Sequence, residues 1–450
     1  MPSISTFAAK NYKCFSNPTL INIRPLTIFI GSNSSGKTSM LKLLLLLKEA
    51  IESRYSYAPI IFKGKYINFG SYNDVVYKHD IKNKMSFGIK LNNLSIRPRW
   101  LPRSSHERTP VDLTNISIIT TFKCIKRSKE VAIDYYHIYD EFKNIEMRLK
   151  RRRTNYSIKL YQDNEIVTDL PELSQVSFPN LFAPFIERLF RQRGVFAYPS
   201  DDYLISLLFD LILKIESATR DYFSSFFYIG PFREPPQRYY ESSGERPNYV
   251  GMKGEFSNLL LYLYKFLKIE KKEVYKRCNE WLTKSYLDSE ISIDKLGDNL
   301  YRTDIVDHVL NVKSNISDYG YGLSQMLPII IQSFHSRDGS TIAIEQPELH
   351  LNPKMQSEIA ELFISESKRL FYIIETHSEH IISRIQRRIA EGKLDKNKVA
   401  IYYFRKTKNE CYVDELGITD DGQIPRWPKG FMDDIILDRE AQFKAIIKNK

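Results

Sequence analysis

The sequence predicts an α/β fold interrupted by a β-rich and partly helical insertion, and three observations predict it. An apolar stretch, Leu26 to Ile30, runs directly into a glycine loop and then into a leucine-rich helical stretch. After Phe226, short apolar runs alternate with segments of helical character. Between the two ends, segments rich in Ile, Thr and Tyr read as strands instead.

Taken in order, Leu20 to Ile23 reads as a strand, Leu26 to Ile30 as a stronger one, and Lys37 to about Arg54 as a helix. The leucines from Leu43 to Leu47 fit a helix buried on all sides, with no chemistry of their own. From about Ile81 the character changes. Arg97, Pro98, Arg99, Pro102 and Arg103 mark a loop, and β-rich segments follow at Ile116 to Lys126, Val131 to Tyr139 and Tyr156 to Tyr161, with a helix at Leu204 to Ile215. Buried strands are expected at Thr341 to Ile344, Leu370 to Ile374 and Val399 to Phe404. The two ends are expected to share one sheet. The expected division is residues 1–80 and 226–450 for the two parts of one domain and 81–225 for the insertion, with no internal repeat and no low-complexity tract.

A chain of 450 residues, 42% apolar and 27% charged, has the composition of an ordinary globular protein with a sizeable core. Its net charge of +12 makes polyanions, nucleic acid among them, candidate partners. The densest basic runs are Lys150 to Arg153 and Lys268 to Lys272, each either a solvated face or a nucleic-acid contact. Cys14, Cys124, Cys278 and Cys411 stand apart in sequence with no zinc-type spacing, which fits a reducing compartment. The N-terminus has no apolar signal core, and the most hydrophobic run, Met40 to Leu47, is far shorter than the roughly 20 residues of a membrane span. A soluble, cytoplasmic protein with no membrane partner is expected.

Gly31-Ser-Asn33-Ser-Ser35-Gly36-Lys37-Thr38 matches GxxxxGK[ST], and Ser39 follows at the start of the helical stretch. The context is what phosphate binding requires: a strand before, a helix after. Glycines let the loop curl so that its N–H groups point at phosphate oxygens, and the helix N-terminus adds partial positive charge. Lys37 is expected on the β- and γ-phosphates of ATP and the Thr38 hydroxyl on Mg²⁺.

Such a loop needs an acid elsewhere. Thr341-Ile-Ala-Ile-Glu345 is an apolar strand ending in a carboxylate, expected at the end of a neighbouring strand where it can hold Mg²⁺; Gln346, Pro347 and Glu348 follow it. Further on, LFYIIE ends in Thr376-His377. Upstream, Asp318-Tyr-Gly320-Tyr-Gly322-Leu-Ser324-Gln325 places glycines and a serine before a helix expected from Met326 to Ser333, a second anion-binding helix start. Arg233, in GPFR, is read evenly as a phosphate contact or as a partner for a carboxylate, while His350 and His380 are read as structural.

These motifs together resemble the ABC-type ATPase heads of the SMC and RecF class. They resemble more closely the overcoming-lysogenisation-defect-like (OLD-like) ATPases of bacterial antiphage systems. The strings that carry the resemblance are FIGSNSSGKTSMLK, YIGPFREPPQRYY, DYGYGLSQMLPIII, IAIEQPELHLNPKMQSEIAELF, IIETHSEHIISRIQRRIAEG and DGQIPRWPKGFMDD, at both ends of the chain and not between 81 and 219. The resemblance implies a P-loop NTPase head with a mixed sheet. It also implies a homodimer or higher oligomer in which ATP is sandwiched head-to-tail between protomers. Gly322, Ser324 and Gln325 would then face the γ-phosphate across the dimer, Asn352 would stand at the D-loop aspartate position, and His377 would sense the γ-phosphate.

The pattern is departed from at three places. Gln346 stands where such heads carry the glutamate that polarises water; an amide can orient water but cannot take its proton, a loss on the order of 10²- to 10⁴-fold, with Glu348 as the candidate substitute. No glutamine precedes Gln162, so the glutamine-loop role falls to Asn73 or Asp74 or stays vacant. Asn352 is neutral. The expected activity is slow ATP hydrolysis, with Glu345, Gln346, Glu348 and His377 as the catalytic set. By the resemblance, no nuclease site is expected in the chain, and a separate HNH or TOPRIM effector nuclease is the expected partner, as in Septu, PARIS and retron-associated ATPases. A RecF-like DNA-repair ATPase is the competing reading.

Overall fold

The computed structural model describes residues 3–53, 58–96, 111–113, 115–125, 128–140, 145–152, 155–162, 164–173, 203–266, 272–285, 287–428, 441–442 and 444–446. The expected loop around Arg97 to Arg103, and Lys268 to Lys271 of the second basic run, lie outside them. The chain divides into two compact units: Met1–Ile23, Thr38–Ser224 and Lys406–Tyr412 form one, and Arg24–Lys37, Ser225–Arg405 and Val413–Lys450 the other.

The second unit is built on a six-stranded sheet in the spatial order Phe226–Ile229, Thr341–Glu345, Phe371–Glu375, Leu26–Gly31, Val399–Lys406, Cys411–Leu416. The first five strands run parallel. Their inward runs, such as TIAIE and LTIFIG, are buried at every position, as a parallel sheet covered on both faces demands. The helices Ser257–Phe266, Tyr321–His335, Pro353–Glu366 and Glu379–Ala390 contribute Leu261, Ile329, Phe363 and Ile385 to a core that also takes Ile28, Ile344 and Ile374 from the strands. Burying each such apolar side chain stabilises the fold by roughly 1.5–3 kcal/mol before the entropy of ordering is set against it. A smaller antiparallel sheet of Tyr240–Glu241, Leu300–Asp307, Ser289–Lys295 and Val312–Asn315 belongs to the same unit.

The ends of the chain do meet in one sheet, but only through Leu26–Gly31. The strand expected at Leu20 to Ile23 is Thr19–Asn22, and it lies in a different, eight-stranded antiparallel sheet together with Ser3–Lys10. That sheet runs Glu165–Leu173, Asn155–Gln162, Ile145–Arg152, Val131–Asp140, Ile116–Cys124, Met85–Asn92, Ser3–Lys10, Thr19–Asn22. Four of its strands, Glu165–Leu173, Ile145–Arg152, Met85–Asn92 and Ser3–Lys10, escaped the sequence reading. The last three carry polar side chains on alternate positions and take their stability from cross-strand pairing, which local sequence does not display.

The helix expected from Lys37 spans Lys37–Glu52, with Leu43 to Leu47 at most 1% exposed. The insertion's helix is longer than expected, Tyr203–Ser224, and Lys48 Nζ donates to its Phe223 carbonyl at 2.6 Å. Asp74 is engaged locally: it accepts from the Ser71 amide at 2.8 Å and the Ser71 hydroxyl at 2.7 Å, capping the short helix Tyr72–Val75. Two of the cysteines that stand far apart in sequence meet. The Cys411 amide donates to the Cys14 carbonyl at 2.9 Å, and the contact between the two thiols, with burial, pushes the Cys14 thiol up.

Candidate nucleotide site

The loop after Leu26–Gly31 is shaped by three residues in the left-handed region: Gly31 at φ +140°, Ser34 at +57° and Gly36 at +101°. Gly31 is required for a second reason. A Cβ there would stand 2.1 Å from the Phe404 carbonyl oxygen, because Gly31 pairs with Phe404 on the next strand. Asn33 is exposed at the loop tip, Ser35 is buried, and Lys37 opens the helix with only 3% of its surface exposed. The Lys37 ammonium donates to the Gly31 carbonyl at 3.0 Å and to that of Ser32 at 2.8 Å, so it lies along its own loop. Burial pulls its pKa below the usual lysine range, and the carboxylates of Glu375 and Glu348 oppose that shift. Thr38 and Ser39 continue the first helical turn, and the Ser39 carbonyl accepts from the buried Tyr12 hydroxyl at 2.9 Å.

Glu345 ends its strand as expected, but that strand is not the loop strand's neighbour. Phe371–Glu375 lies between them, pairing with Thr341–Glu345 on one side and Leu26–Gly31 on the other. Thr341–Glu345 pairs with the strand that follows it in the chain, and that following strand takes the place beside the loop strand. Glu345 is 4% exposed and accepts from the Tyr228 hydroxyl at 2.6 Å. Burial and the adjacent Glu345 push the Tyr228 pKa up, so it remains a donor.

Arg233, five residues beyond Tyr228, is 4% exposed and donates through one terminal nitrogen to the Glu345 carbonyl at 2.9 Å and the Gln346 carbonyl at 3.4 Å. One terminal nitrogen thus grips main chain, while Nε and the other terminal nitrogen are buried without a partner in the structure. Burial lowers its pKa to about 10. Gln346 itself has φ +46°, a left-handed conformation that costs a non-glycine residue on the order of 1–3 kcal/mol. Its amide donates to the Glu375 carbonyl at 2.7 Å, so hydrogen bonds hold the strained residue on both sides.

Glu348 accepts from the Thr376 hydroxyl at 2.8 Å and from the His377 amide at 2.7 Å, which ties the loop after Glu345 to the end of the next strand. Burial raises its pKa above the usual carboxylate range, against those two hydrogen bonds. His377 is half-buried, and burial together with the Lys37 ammonium lowers its pKa, leaving a neutral imidazole at pH 7. Ser378 then accepts from the Ile381 amide at 3.1 Å and starts the helix Glu379–Ala390.

The helix expected from Met326 starts five residues earlier: it is Tyr321–His335, with Gly320 at its N-cap at φ +111° and no side-chain cap. Gly322 packs so closely on the chain after Glu345 that a Cβ would stand 2.9 Å from the His350 carbonyl. The Ser324 hydroxyl donates to the Tyr321 carbonyl at 2.7 Å, and Gln325 is 2% exposed with its amide nitrogen unpaired. Arg238 holds the approach to this helix through two bonds to Asp318, at 3.0 and 2.8 Å. Asn352 caps the helix Pro353–Glu366, accepting from the Met355 amide at 2.9 Å.

The fold therefore gathers Lys37, Glu348 and His377 near one another, sets Glu345 one strand further along, and adds Tyr228, Thr376 and Glu375, which the sequence reading did not single out. The signal for Tyr228 was present in YIGPFR, a short apolar run ending in a glycine turn. The loop's curled backbone, its buried lysine and the helix start fit a nucleoside triphosphate, and hydroxyl and carboxylate oxygens such as those of Thr38 and Glu345 are of the kind that Mg²⁺ takes.

A family model described as an AAA ATPase domain matches residues 3–201 and 249–382. A second, described as a protein of unknown function, matches residues 394–438. Comparison with curated proteins gives no match. Among solved structures the chain is similar to an SMC head bound to the C-winged helix domain of ScpA, at 14% identity and a TM-score of 0.44 over 92% of this chain and 98% of that one. It is also similar to the SMC head domain from Thermotoga maritima, at 10% identity and 0.40 over 92% and 99%. A third is an Smc head with an extended coiled coil, bound to the C-terminal domain of ScpA and derived from Pyrococcus furiosus, at 12% and 0.42 over 93% and 97%.

Proposed function

Because the chain belongs to the AAA ATPase domain family, we propose that it is an ATP-binding, slowly hydrolysing, ABC-type subunit that oligomerises around nucleotide and controls a separate effector nuclease in antiphage defence. The observation that carries the nucleotide part is the position of Lys37, buried on its own loop with Glu348, Glu375 and His377 around it. The defence part rests on the OLD-like strings of the sequence.

In this reading the loop amides from Gly31 to Gly36 and the Lys37 ammonium hold the β- and γ-phosphates, and the Thr38 hydroxyl and Glu345 hold Mg²⁺. Bound Mg²⁺ neutralises charge on the phosphate oxygens. Tyr228 orients the Glu345 carboxylate, and Arg233 fixes the main chain on either side of the Glu345–Gln346 bond. Gln346 orients water without taking its proton. Glu348 has a raised pKa suited to a general base, but both of its oxygens are held by Thr376 and His377. Hydrolysis is therefore slow, and bound ATP acts chiefly as a gate. Neutral His377 would donate to the γ-phosphate, and Gly322, Ser324, Gln325 and Asn352 would meet the nucleotide of a second copy; Ser324 would first have to leave the Tyr321 carbonyl.

Steady-state turnover tests this directly: a rate well above about one per second, near the range of ordinary enzymes, contradicts slow gating. Co-purification of a nuclease from the native host supports the effector arrangement. Recovery with replication or repair proteins instead supports the RecF-like reading, which the net charge of +12 favours.

A further inference from the structure

Across the strands Val131–Asp140, Ile145–Arg152 and Asn155–Gln162 the eight-stranded sheet has one buried face and one that is partly exposed. On the packed face Tyr136, Ile138, Met147, Leu149, Ile158 and Leu160 are at most 4% exposed. Side chains alternate along each strand, so their sequence neighbours stand on the other face. Register lines those up in rows across three strands: Tyr135 beside Lys150, His137 beside Arg148 and Lys159, and Tyr139 beside Glu146 and Tyr161.

The result is a ladder of rings set among basic side chains. His137 and Tyr139 stack with centroids 4.7 Å apart at 29°, and Tyr135 lies 5.7 Å from His137. The Arg148 guanidinium covers the Tyr161 ring at 4.4 Å. Charge on this face is unbalanced. Glu146 pairs with His137 and Arg148, and Asp169 pairs with Lys159 at 3.0 Å. Lys150 and Arg152, both exposed, have no acidic partner among the described residues. Alternation also splits the basic run that the sequence presents as one block. Arg151 turns to the opposite face and lies over Tyr156 at 6.0 Å, and Arg153 lies outside the described residues.

We propose that this face binds single-stranded nucleic acid, with bases stacking on the row Tyr135, His137, Tyr139 and on Tyr161, and phosphates meeting Lys150 and Arg152. Rings spaced along a strand take successive bases whatever their identity, because every base has a π-face. The neighbouring cations contribute by releasing counterions. A duplex does not suit the surface. Its bases are already stacked, and its major groove admits a helix or a two-stranded ribbon rather than a broad sheet. The inference does not rest on the nucleotide reading: the sheet could fail to bind nucleic acid in a working ATPase, or bind it in a chain that takes no ATP.

The test is fluorescence anisotropy with the full chain and labelled oligouridine, oligodeoxythymidine and a duplex of about 16 nucleotides, a length that spans one binding site of this kind. The single strands, RNA or DNA, should bind more tightly than the duplex, with affinity falling as salt rises. Lys150→Glu with Arg152→Glu should lower affinity roughly tenfold or more and reduce the log–log salt slope by about 1.4, two phosphate contacts at about 0.7 each. Tyr139→Ala should cost roughly tenfold, while the salt slope stays as in the parent. Melting temperatures of the exposed charge variants control for folding. No binding at about 50 mM salt, duplex bound as tightly as single strand, or a charge variant with unchanged affinity and slope would each overturn the proposal.

Discussion

Tyr228, at the end of one strand, donates its hydroxyl to the carboxylate of Glu345, at the end of the next, at 2.6 Å with both side chains buried. A hydrogen bond to a charged group contributes about 1.5–3 kcal/mol. Tyr228→Phe should therefore keep the fold and weaken Mg²⁺-dependent ATP binding by roughly tenfold, while binding in EDTA stays unchanged. Titrating nucleotide with and without Mg²⁺ separates the two, and an equal loss under both conditions would count against an orienting role.

Arg233 holds the Glu345 and Gln346 carbonyls from a buried position. Arg233→Met should leave both carbonyls unpaired and destabilise the protein by about 1–3 kcal/mol per lost partner. Arg233→Lys should recover part of that, because one ammonium can reach one carbonyl. Denaturant midpoints of the two variants check this; a methionine variant as stable as the parent would contradict it.

Gly31 faces the Phe404 carbonyl across a parallel pair. The obstructing atom is backbone, so Gly31→Ala cannot be absorbed by a side-chain rotation and should distort the loop as well as the strand pair. The expected outcome is loss of ATP binding with a melting temperature several degrees lower. Gly320→Ala meets no atom within 4 Å and bears only its positive-φ strain, so it should cost less stability.

His377 titrates below its ordinary 6.5 because burial and Lys37 oppose its charged form. The unfolded chain then binds the proton more readily than the folded one. Stability is lost as pH falls from 6.5 through the lowered folded value, and His377→Gln should lessen that loss. Glu348 has the opposite sign: its raised pKa makes the folded state hold the proton, so stability falls as pH rises above 4.5, and Glu348→Gln should flatten that side. Denaturant midpoints of each variant across about pH 4 to 8 check both slopes.

Much of the site was legible because its chemistry is local. Strand, loop and helix around Lys37 are contiguous, and Glu345 and His377 each end an apolar run. What escaped depends on distant pairing. Tyr228 sits at the end of a four-residue strand whose partner begins at Thr341, and nothing near either residue announces the other. The intervening strand Phe371–Glu375 was readable as a strand but not as the one beside the loop. Cys14 and Cys411 meet only through tertiary pairing, and so do the basic side chains and Tyr161 that flank the row Tyr135, His137 and Tyr139 along one strand. Gln346 was visible as an amide in an acid's place, yet its left-handed backbone and the grip of Arg233 were not.

In the proposed function the buried Lys37 and its loop hold ATP. Equilibrium binding of ATP·Mg²⁺ to the parent chain and to Lys37→Ala, with melting temperatures as the control for folding, tests it most directly. Saturable binding by the parent and a loss of at least about a hundredfold in a folded variant are expected, since a charged contact in a buried site is removed. Equal binding by both, or none by a folded parent, would contradict it.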